Sequence, residues 1–171
     1  MAAKDAATLR ELNRLIRENR IQKTYLCVLT ATPPKQTDIL HAYHWKDAKT
    51  NTVTISDHPK AGYREIITEY RVLQQQNGLC LVEITLHTGR THQIRAHMAH
   101  VHTPLAGDSK YGDRRKNESL HLKHQLLCAY QLQFHPEADS CLVYLNGKTV
   151  TAPLPDFVSR FFPTFSSKNR K

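Results

Sequence analysis

Two apolar strands joined by a tight-turn signal constrain the fold of this chain more than any other feature. The segments 64–75 and 79–87 are rich in the branched and aromatic residues that favour strands. Asn77 and Gly78 lie between them, and this dipeptide readily takes the left-handed backbone of a two-residue turn. The pattern predicts an antiparallel hairpin, from which we expect the rest of an antiparallel sheet to extend.

The rest of the chain alternates further strand patterns with helical ones. The first helix is expected to begin with Asp5 as its cap and to carry Leu9 on its apolar stripe. The expected helices span 5–20, 91–101 and 157–162, and further strands are expected at 23–30, 39–45, 52–56, 125–134, 141–145 and 148–152. We expect a mobile loop at 113–123 and a capping role for Asp156. This order predicts an α+β fold whose antiparallel sheet is lined on one side by helices.

The segment that follows the hairpin is polar and suits an anion. Gly89 is expected to supply the permissive backbone of a tight turn, and Thr91 is expected to cap a helix that begins at once. Backbone N–H groups and the helix dipole favour an anion at such a junction. Four side chains add charge or hydrogen-bonding groups there: Arg90, His92, Gln93 and Arg95. The junction is therefore a candidate phosphate or carboxylate site.

The helix after the junction has one apolar face. At about 100° per residue, Ile94, Met98 and Val101 share that face. Arg95 and His102 lie at its edge. An arginine in this position is either held for bidentate contact with a carboxylate or extended over its apolar neighbours. The spacing leaves both interpretations of Arg95 open.

The composition favours an anionic partner. The 171 residues carry a formal net charge of +9, which suits nucleic acid or an anionic membrane surface. No apolar segment is long enough to cross a bilayer. The four cysteines are scattered and lie mostly in apolar runs, as expected for reduced thiols in a cytoplasmic protein. The histidines between residues 87 and 102 lack the spacing and the acidic companions of a metal site, so no metal is expected.

The junction and the loop after it resemble the third motif of the RluA-type pseudouridine synthases, which isomerise uridine in ribosomal or transfer RNA. The resemblance rests on TGRTHQIRAH at 88–97 and HTPLAGDSKYG at 102–112. It implies a partial pseudouridine synthase fold over residues 1–165, with a mixed, mainly antiparallel sheet and flanking helices around an RNA-binding cleft. It also implies structured RNA as the partner and no cofactor. We further expect a monomer, and a disordered basic tail at 166–171.

The resemblance implies roles for single residues. From its pattern alone Tyr25 is ordinary strand filling, but it matches the family's tyrosine that lies against the target base. Arg95 matches the basic residue that pairs with the catalytic aspartate and keeps it ionised, so its loss is expected to affect activity and not folding. RNA contacts are expected from Arg90, His92, Gln93, Lys110 and Tyr111.

The family's nucleophile has no counterpart in this chain. It is an aspartate in a His-Arg-Leu-Asp motif, which the sequence does not contain. Asp5, Asp57 and Asp113 lie in unrelated contexts, and Asp108 matches a residue that shapes a loop. The chain is therefore expected to be the C-terminal portion of a uridine-isomerising enzyme and to be inactive alone. Two alternatives are a non-catalytic RNA-binding protein with the same fold and a basic scaffold domain that contacts ribosomes or membranes without RNA specificity.

Overall fold

The computed structural model describes residues 2–166, in which one sheet is accompanied by short helices. The strands are β1 (Ile21–Leu29), β2 (Thr37–Asp47), β3 (Thr52–Ser56), β4 (Arg64–Gln76), β5 (Leu79–Leu86), β6 (Leu127–Phe134) and β7 (Thr149–Thr151). The helices are α1 (Ala6–Arg17), α2 (Gln93–His100), α3 (Arg114–Ser119) and α4 (Asp156–Phe161). Within residues 2–166, no helix is long and apolar enough to cross a membrane.

The sheet is built around the hairpin of β4 and β5. Asn77 and Gly78 take left-handed φ angles of 52° and 72°, as this two-residue turn requires, so the predicted hairpin is confirmed. The strand order is β3-β2-β4-β5-β1-β6-β7. Neighbouring strands of this sheet are all antiparallel. The α+β class is therefore confirmed, with a sheet that is antiparallel throughout its described strands rather than mixed.

Helices cover both faces of the sheet around β1 and β5. On one face, Cys27 packs with Ile94 and Met98 of α2. On the other face, Leu26 packs with Phe162, which follows α4. Successive side chains of a strand point to opposite faces, so a strand that is apolar on both faces needs cover on both. The expectation of helices on one side only is therefore wrong.

Three local predictions differ from the structure. Leu9 is 52% exposed and lies outside the apolar cluster through which Leu12 and Leu15 of α1 pack against β1 and β6. The segment 113–123 contains α3, whose Asn117 is buried, and so is not a mobile loop. The segment 141–145 forms turns that include a short 3-10 helix, so of the segments 141–145 and 148–152 only the second pairs with β6, as β7.

The helix ends agree only in part with the predicted caps. Asp5 accepts a hydrogen bond from the backbone N–H of Thr8 at 2.8 Å, so its capping role is confirmed. At α4 the N-cap is Pro155, and Asp156 is the first helical residue. Apart from Ser166, the predicted tail lies outside the described residues.

Buried hydrogen bonds hold the loop between α2 and α3. Gly107 has a φ of 77°, and its N–H donates to Asn117 Oδ1 at 2.7 Å. Asn117 Nδ2 donates in turn to the carbonyl of Asp108 at 3.0 Å. A Cβ on Gly107 would lie 2.0 Å from the carbonyl oxygen of His124, so only glycine fits. These contacts fix the backbone that carries Asp108.

Gly107→Ala is expected to destabilise the protein by about 3 kcal/mol or more, because left-handed strain and the clash with His124 add together. Gly78→Ala is the matched control, since Gly78 has a similar φ of 72° but no atom within 4 Å of an added Cβ. The control should lose only about 1–2 kcal/mol. Chemical denaturation measures both losses. Equal losses would show that the His124 backbone yields to the added methyl group.

Candidate active site

His92, not the predicted residues, makes the turn into α2. It adopts a left-handed backbone with φ 52° and ψ 18°, and it is the N-cap of α2 without a side-chain capping bond. Gly89 has no positive φ, and Thr91 lies before the cap. The predicted backbone roles of Gly89 and Thr91 are therefore wrong. Histidine occurs in the left-handed region more often than most residues do. This tendency is too weak to predict the turn at His92 from the sequence.

Gln93 fastens the junction to the sheet. Its side chain is buried, and its Oε1 accepts hydrogen bonds from Thr88 Oγ1 and from the backbone N–H of Arg90, each at 3.0 Å. Its Nε2 donates to the carbonyl of Ile67 at 3.2 Å and to Thr68 Oγ1 at 3.1 Å. These bonds use both donors and both lone pairs of the amide. Gln93 is therefore a positioning residue, and its amide has no free group for the predicted RNA contact.

Arg95 and Asp108 form a buried ion pair beside the first turn of α2. Arg95 Nε donates to Asp108 Oδ2 at 2.7 Å, and Arg95 Nη2 donates to Oδ1 at 2.8 Å. The Arg95 side chain is 14% exposed, and that of Asp108 is fully buried. Bidentate pairing of this kind is strong and geometrically specific. Of the two interpretations of Arg95, the structure confirms the fixed and partly desolvated one, with Asp108 as the carboxylate.

Asp108 stays ionised because several N–H donors face its carboxylate. The backbone N–H groups of Lys110 and Tyr111 donate to Oδ1 at 2.9 and 3.0 Å. Burial acts to raise the pKa of Asp108, but hydrogen bonds from Arg95 and these backbone groups outweigh it and hold the pKa below its ordinary value. Both carboxylate oxygens are engaged. We therefore expect loss of Arg95 to affect folding as well as activity, because it would leave a buried charge unpaired.

Tyr111 connects the loop to β3 and to the junction. Its hydroxyl oxygen accepts a hydrogen bond from the backbone N–H of Val53 at 3.0 Å and lies 3.0 Å from His92 Nδ1. Its ring centroid lies 5.3 Å from the guanidinium carbon of Arg95. Lys110 Nζ donates to a carbonyl in the β2–β3 turn at 2.6 Å. Lys110 and Tyr111 thus have structural partners, and their RNA contacts stay predictions.

A cavity of about 380 Å³ opens between the junction and the strands β1, β5 and β6. Its apolar walls include Leu86, Ile94 and Leu127, while Tyr25 and Arg95 both line it. Of the predicted site residues, the cavity brings together Tyr25, Arg90, His92, Gln93 and Arg95, but not Lys110 or Tyr111. Burial raises the pKa of Tyr25, so its hydroxyl keeps its proton at neutral pH. The cavity thus combines apolar walls with a fixed cation and a neutral phenol.

Among the described residues, no carboxylate lines this cavity. Asp5 and Asp113 cap α1 and α3. Asp57 accepts a hydrogen bond from a histidine of α2, and Asp108 is buried in its pair with Arg95. Each of these acidic side chains has a structural partner, so the cavity offers a cation and a tyrosine without a nucleophile.

His97 anchors α2 to β4 on the buried side of the site. Its Nδ1 lies 2.9 Å from Thr68 Oγ1, the hydroxyl that already accepts a hydrogen bond from Gln93. Burial, followed by the charge of His100, lowers the pKa of His97 to about 4, so the ring is neutral and can accept the hydrogen of Thr68. Sequence reasoning considered His97 only as a metal ligand. Its position three residues after Ile94, on the apolar face, is the signal of its buried role.

Comparison with known proteins decides the family. The sequence model of the RNA pseudouridylate synthase family matches residues 1–100, more than half of the chain. The chain belongs to this family. It is 35% identical over 137 residues to an uncharacterized RNA pseudouridine synthase of Chloroflexus aurantiacus, covering 80% of this chain and 40% of that protein. It is 32% identical over 166 residues to ribosomal large subunit pseudouridine synthase C of Buchnera aphidicola, covering 91% of this chain and 49% of that protein.

A solved structure of a family member shares the fold of this chain. Human RNA pseudouridylate synthase domain containing 1 superimposes with a TM-score of 0.72 at 23% sequence identity, covering 92% of this chain and 64% of that one. The predicted family and fold are thus confirmed. The chain spans less than half the length of the two bacterial relatives.

Asp108→Asn is expected to lower the free energy of unfolding at neutral pH by about 3–5 kcal/mol, because a buried Arg95 loses its charged partner. The lowered pKa means that Asp108 stabilises the fold fully above the unfolded-state pKa, and that this contribution disappears as the pH falls through the folded-state value. As the pH falls below about 4, the free energy of unfolding should therefore decrease less in the variant than in the wild type. Denaturation at a series of pH values tests both effects. Asp113→Asn is the control, since asparagine also caps a helix; equal stability of Asp108→Asn and this control would contradict the prediction.

His97 should produce a separate pH dependence. Its folded-state pKa is about 4 against an ordinary 6.5, so between these values the unfolded chain binds a proton that the folded chain does not. Stability should fall by roughly 3 kcal/mol as the pH decreases through this range. In His97→Gln this slope should flatten, whereas in His135→Gln, at an exposed position, it should remain. The measurement is the slope of the unfolding free energy against pH. A wild-type slope in His97→Gln would show that His97 does not cause this pH dependence.

Proposed function

We propose that this chain forms the base-binding and cationic part of an RNA uridine-to-pseudouridine isomerase acting on ribosomal or transfer RNA, and that it is inactive by itself. The observation that carries the proposal is the cavity shared by Tyr25 and Arg95, with no carboxylate among its described lining residues. The family supplies the reaction class. The family's His-Arg-Leu-Asp motif is absent from the sequence, and with it the nucleophile.

The reaction requires a cavity in which the uracil base can be released from ribose and can rotate before it is reattached. The bond from N1 of uracil to C1′ of ribose breaks, C5 of uracil bonds to C1′, and the hydrogen displaced from C5 is matched by one gained at N1. Leu86 and Leu127 offer apolar walls for a flat base. Tyr25 offers a ring for stacking and a hydroxyl that stays protonated at neutral pH. These features suit a flat, neutral base such as uracil.

Arg95 is suited to hold a second carboxylate. Its Nε and Nη2 are engaged by Asp108, while Nη1 has no hydrogen bond within residues 2–166. A guanidinium carries five N–H donors, so the remaining edge can bind a nucleophilic carboxylate and keep its pKa low. Because Asp108 already fixes the guanidinium, little side-chain entropy is lost when that carboxylate binds.

Charge and similarity support RNA as the substrate. The chain has a formal net charge of +9, and the exposed Arg90 lies at the cavity. Positive charge at this position favours the phosphates beside a bound uridine. The Buchnera relative is named for the large ribosomal subunit, which supports ribosomal RNA as a substrate class for this chain.

The purified chain is expected to form no pseudouridine in ribosomal or transfer RNA. Tyr25 remains protonated, and Arg95 cannot deprotonate, so neither can replace a carboxylate nucleophile. Chemical labelling of pseudouridine after prolonged incubation measures the activity. Addition of a polypeptide that carries the His-Arg-Leu-Asp region of a relative should restore turnover, because the two pieces together complete the site.

A variant of the reconstituted mixture tests the role of Arg95. Arg95→Lys should retain part of the activity, since it keeps the charge and loses the fork geometry. Tyr144→Phe, an exposed position near β7, is the control and should retain full activity. Turnover by the chain alone would overturn the proposed inactivity. A mixture that binds RNA without turnover would favour the non-catalytic RNA-binding protein, and a chain that binds no RNA would favour the scaffold domain.

A further inference from the structure

An exposed aromatic patch lies at the β2 end of the sheet, outside the cavity. Trp45 of β2 is 40% exposed, and its ring centroid lies 6.3 Å from that of Tyr63, with the ring planes 22° apart. Lys60 Nζ lies 5.6 Å from the centroid of the Tyr63 ring. These three residues, Trp45, Tyr63 and Lys60, are called the aromatic patch below. The proposed isomerase site uses none of them.

The backbone holds the aromatic patch in place. The antiparallel register of β2 and β4 sets His44 opposite Arg64, so the next residues along, Trp45 and Tyr63, come side by side. The N–H of Tyr63 donates to the carbonyl of Lys60 at 3.0 Å, which closes a turn beside Tyr63. The patch is therefore formed before any ligand binds.

The residue of the adjoining turn that lies against Trp45 is a glycine and has no side chain to cover the indole. Gly62 lies against the indole, where an added Cβ would be 3.8 Å from Trp45 Cδ1. Lys60 is the cation beside the aromatic rings, because the alternation along β2 and its register with β4 direct the exposed Lys46 and Arg64 to the opposite face. The nearby carboxylate of Asp47 accepts hydrogen bonds from its own turn, at the backbone N–H of residue 49 and the hydroxyl of residue 50. An exposed indole with Lys60 beside its aromatic neighbour suits an anionic ligand that has a flat apolar part.

We propose that the aromatic patch binds an unpaired base of RNA by stacking, with Lys60 beside the adjoining phosphate. This base is distinct from the uridine in the cavity, and naming RNA as the ligand rests on the proposed function. Single-stranded RNA is bound through stacking of its bases on aromatic rings and through cations along its backbone. Trp45 follows His44, whose Nε2 lies 2.9 Å from the carbonyl of Thr91 at the junction. One strand thus carries both the stacking surface and a contact to the site.

The test uses the chain's single tryptophan as its own probe. The chain is titrated with a short oligouridylate and with an abasic strand that has the same number of phosphates. The oligouridylate is expected to quench the fluorescence of Trp45, and the abasic strand is not, because it has no base to stack. Trp45→Ala is expected to weaken oligouridylate binding about tenfold, measured by anisotropy of the labelled strand, whereas Trp45→Phe should retain most of the affinity.

Tyr144→Ala is the matched control, because Tyr144 is a 65% exposed aromatic residue at the opposite end of the sheet. It should leave the affinity unchanged, and circular dichroism should show that every variant keeps the fold.

Equal quenching by the abasic strand, or unchanged affinity in Trp45→Ala, would overturn the stacking site. If Arg90→Ala alone weakened binding, the stacking site would fail and the proposed function would stand. If the wild-type chain bound neither strand nor structured RNA, both proposals would fall.

Discussion

The arrangement of the site depends on the buried ion pair between Arg95 and Asp108. The pair joins α2 to the loop that follows it. Tyr111 extends the connection, because its ring lies beside Arg95 and its hydroxyl accepts a hydrogen bond from Val53 of β3. Two charges removed from water stabilise a fold only when their geometry is good and their remaining atoms are hydrogen-bonded. Here the backbone of the loop donates to Asp108, and Gly107 permits the backbone path that brings those donors into place.

Behind this pair, a chain of uncharged groups holds the junction against β4. Gln93, Thr68 and His97 share hydrogen bonds, with the Thr68 hydroxyl in the middle. A buried network in which every polar group has a hydrogen-bond partner is rigid. Loss of one partner destabilises the fold, because a polar group then stays buried without a hydrogen bond. The cation at the cavity is therefore placed in advance by neutral as well as charged contacts. This preorganisation is what a nucleophile needs from a supporting residue.

Local pattern predicted much of the fold because the patterns concerned need few distant contacts. The turn at Asn77 and Gly78 specifies the β4–β5 hairpin, and the spacing of Ile94 and Met98 specifies the buried face of α2. The helix α3 was not predicted because its segment is polar. Its position depends on hydrogen bonds of Asn117 with Gly107 and Asp108, ten and nine residues earlier in the sequence, and not on an apolar stripe. The pairing of Arg95 with Asp108 was likewise not predictable from spacing, because one edge of a helix faces several possible carboxylates until the loop is placed.

The alternation of side chains along β2 places a buried residue on one face of the sheet and an exposed aromatic residue on the other. His44 points towards the junction and is buried, where its ring lies 2.9 Å from the carbonyl of Thr91. Trp45 points the other way and stays exposed. A one-residue change of register would exchange these side chains, bury an indole against the junction and expose the histidine. The pairing of β2 with β3 and β4 therefore fixes the position of both surfaces at once, and the β2 end of the sheet cannot rearrange without disturbing the turn that begins α2.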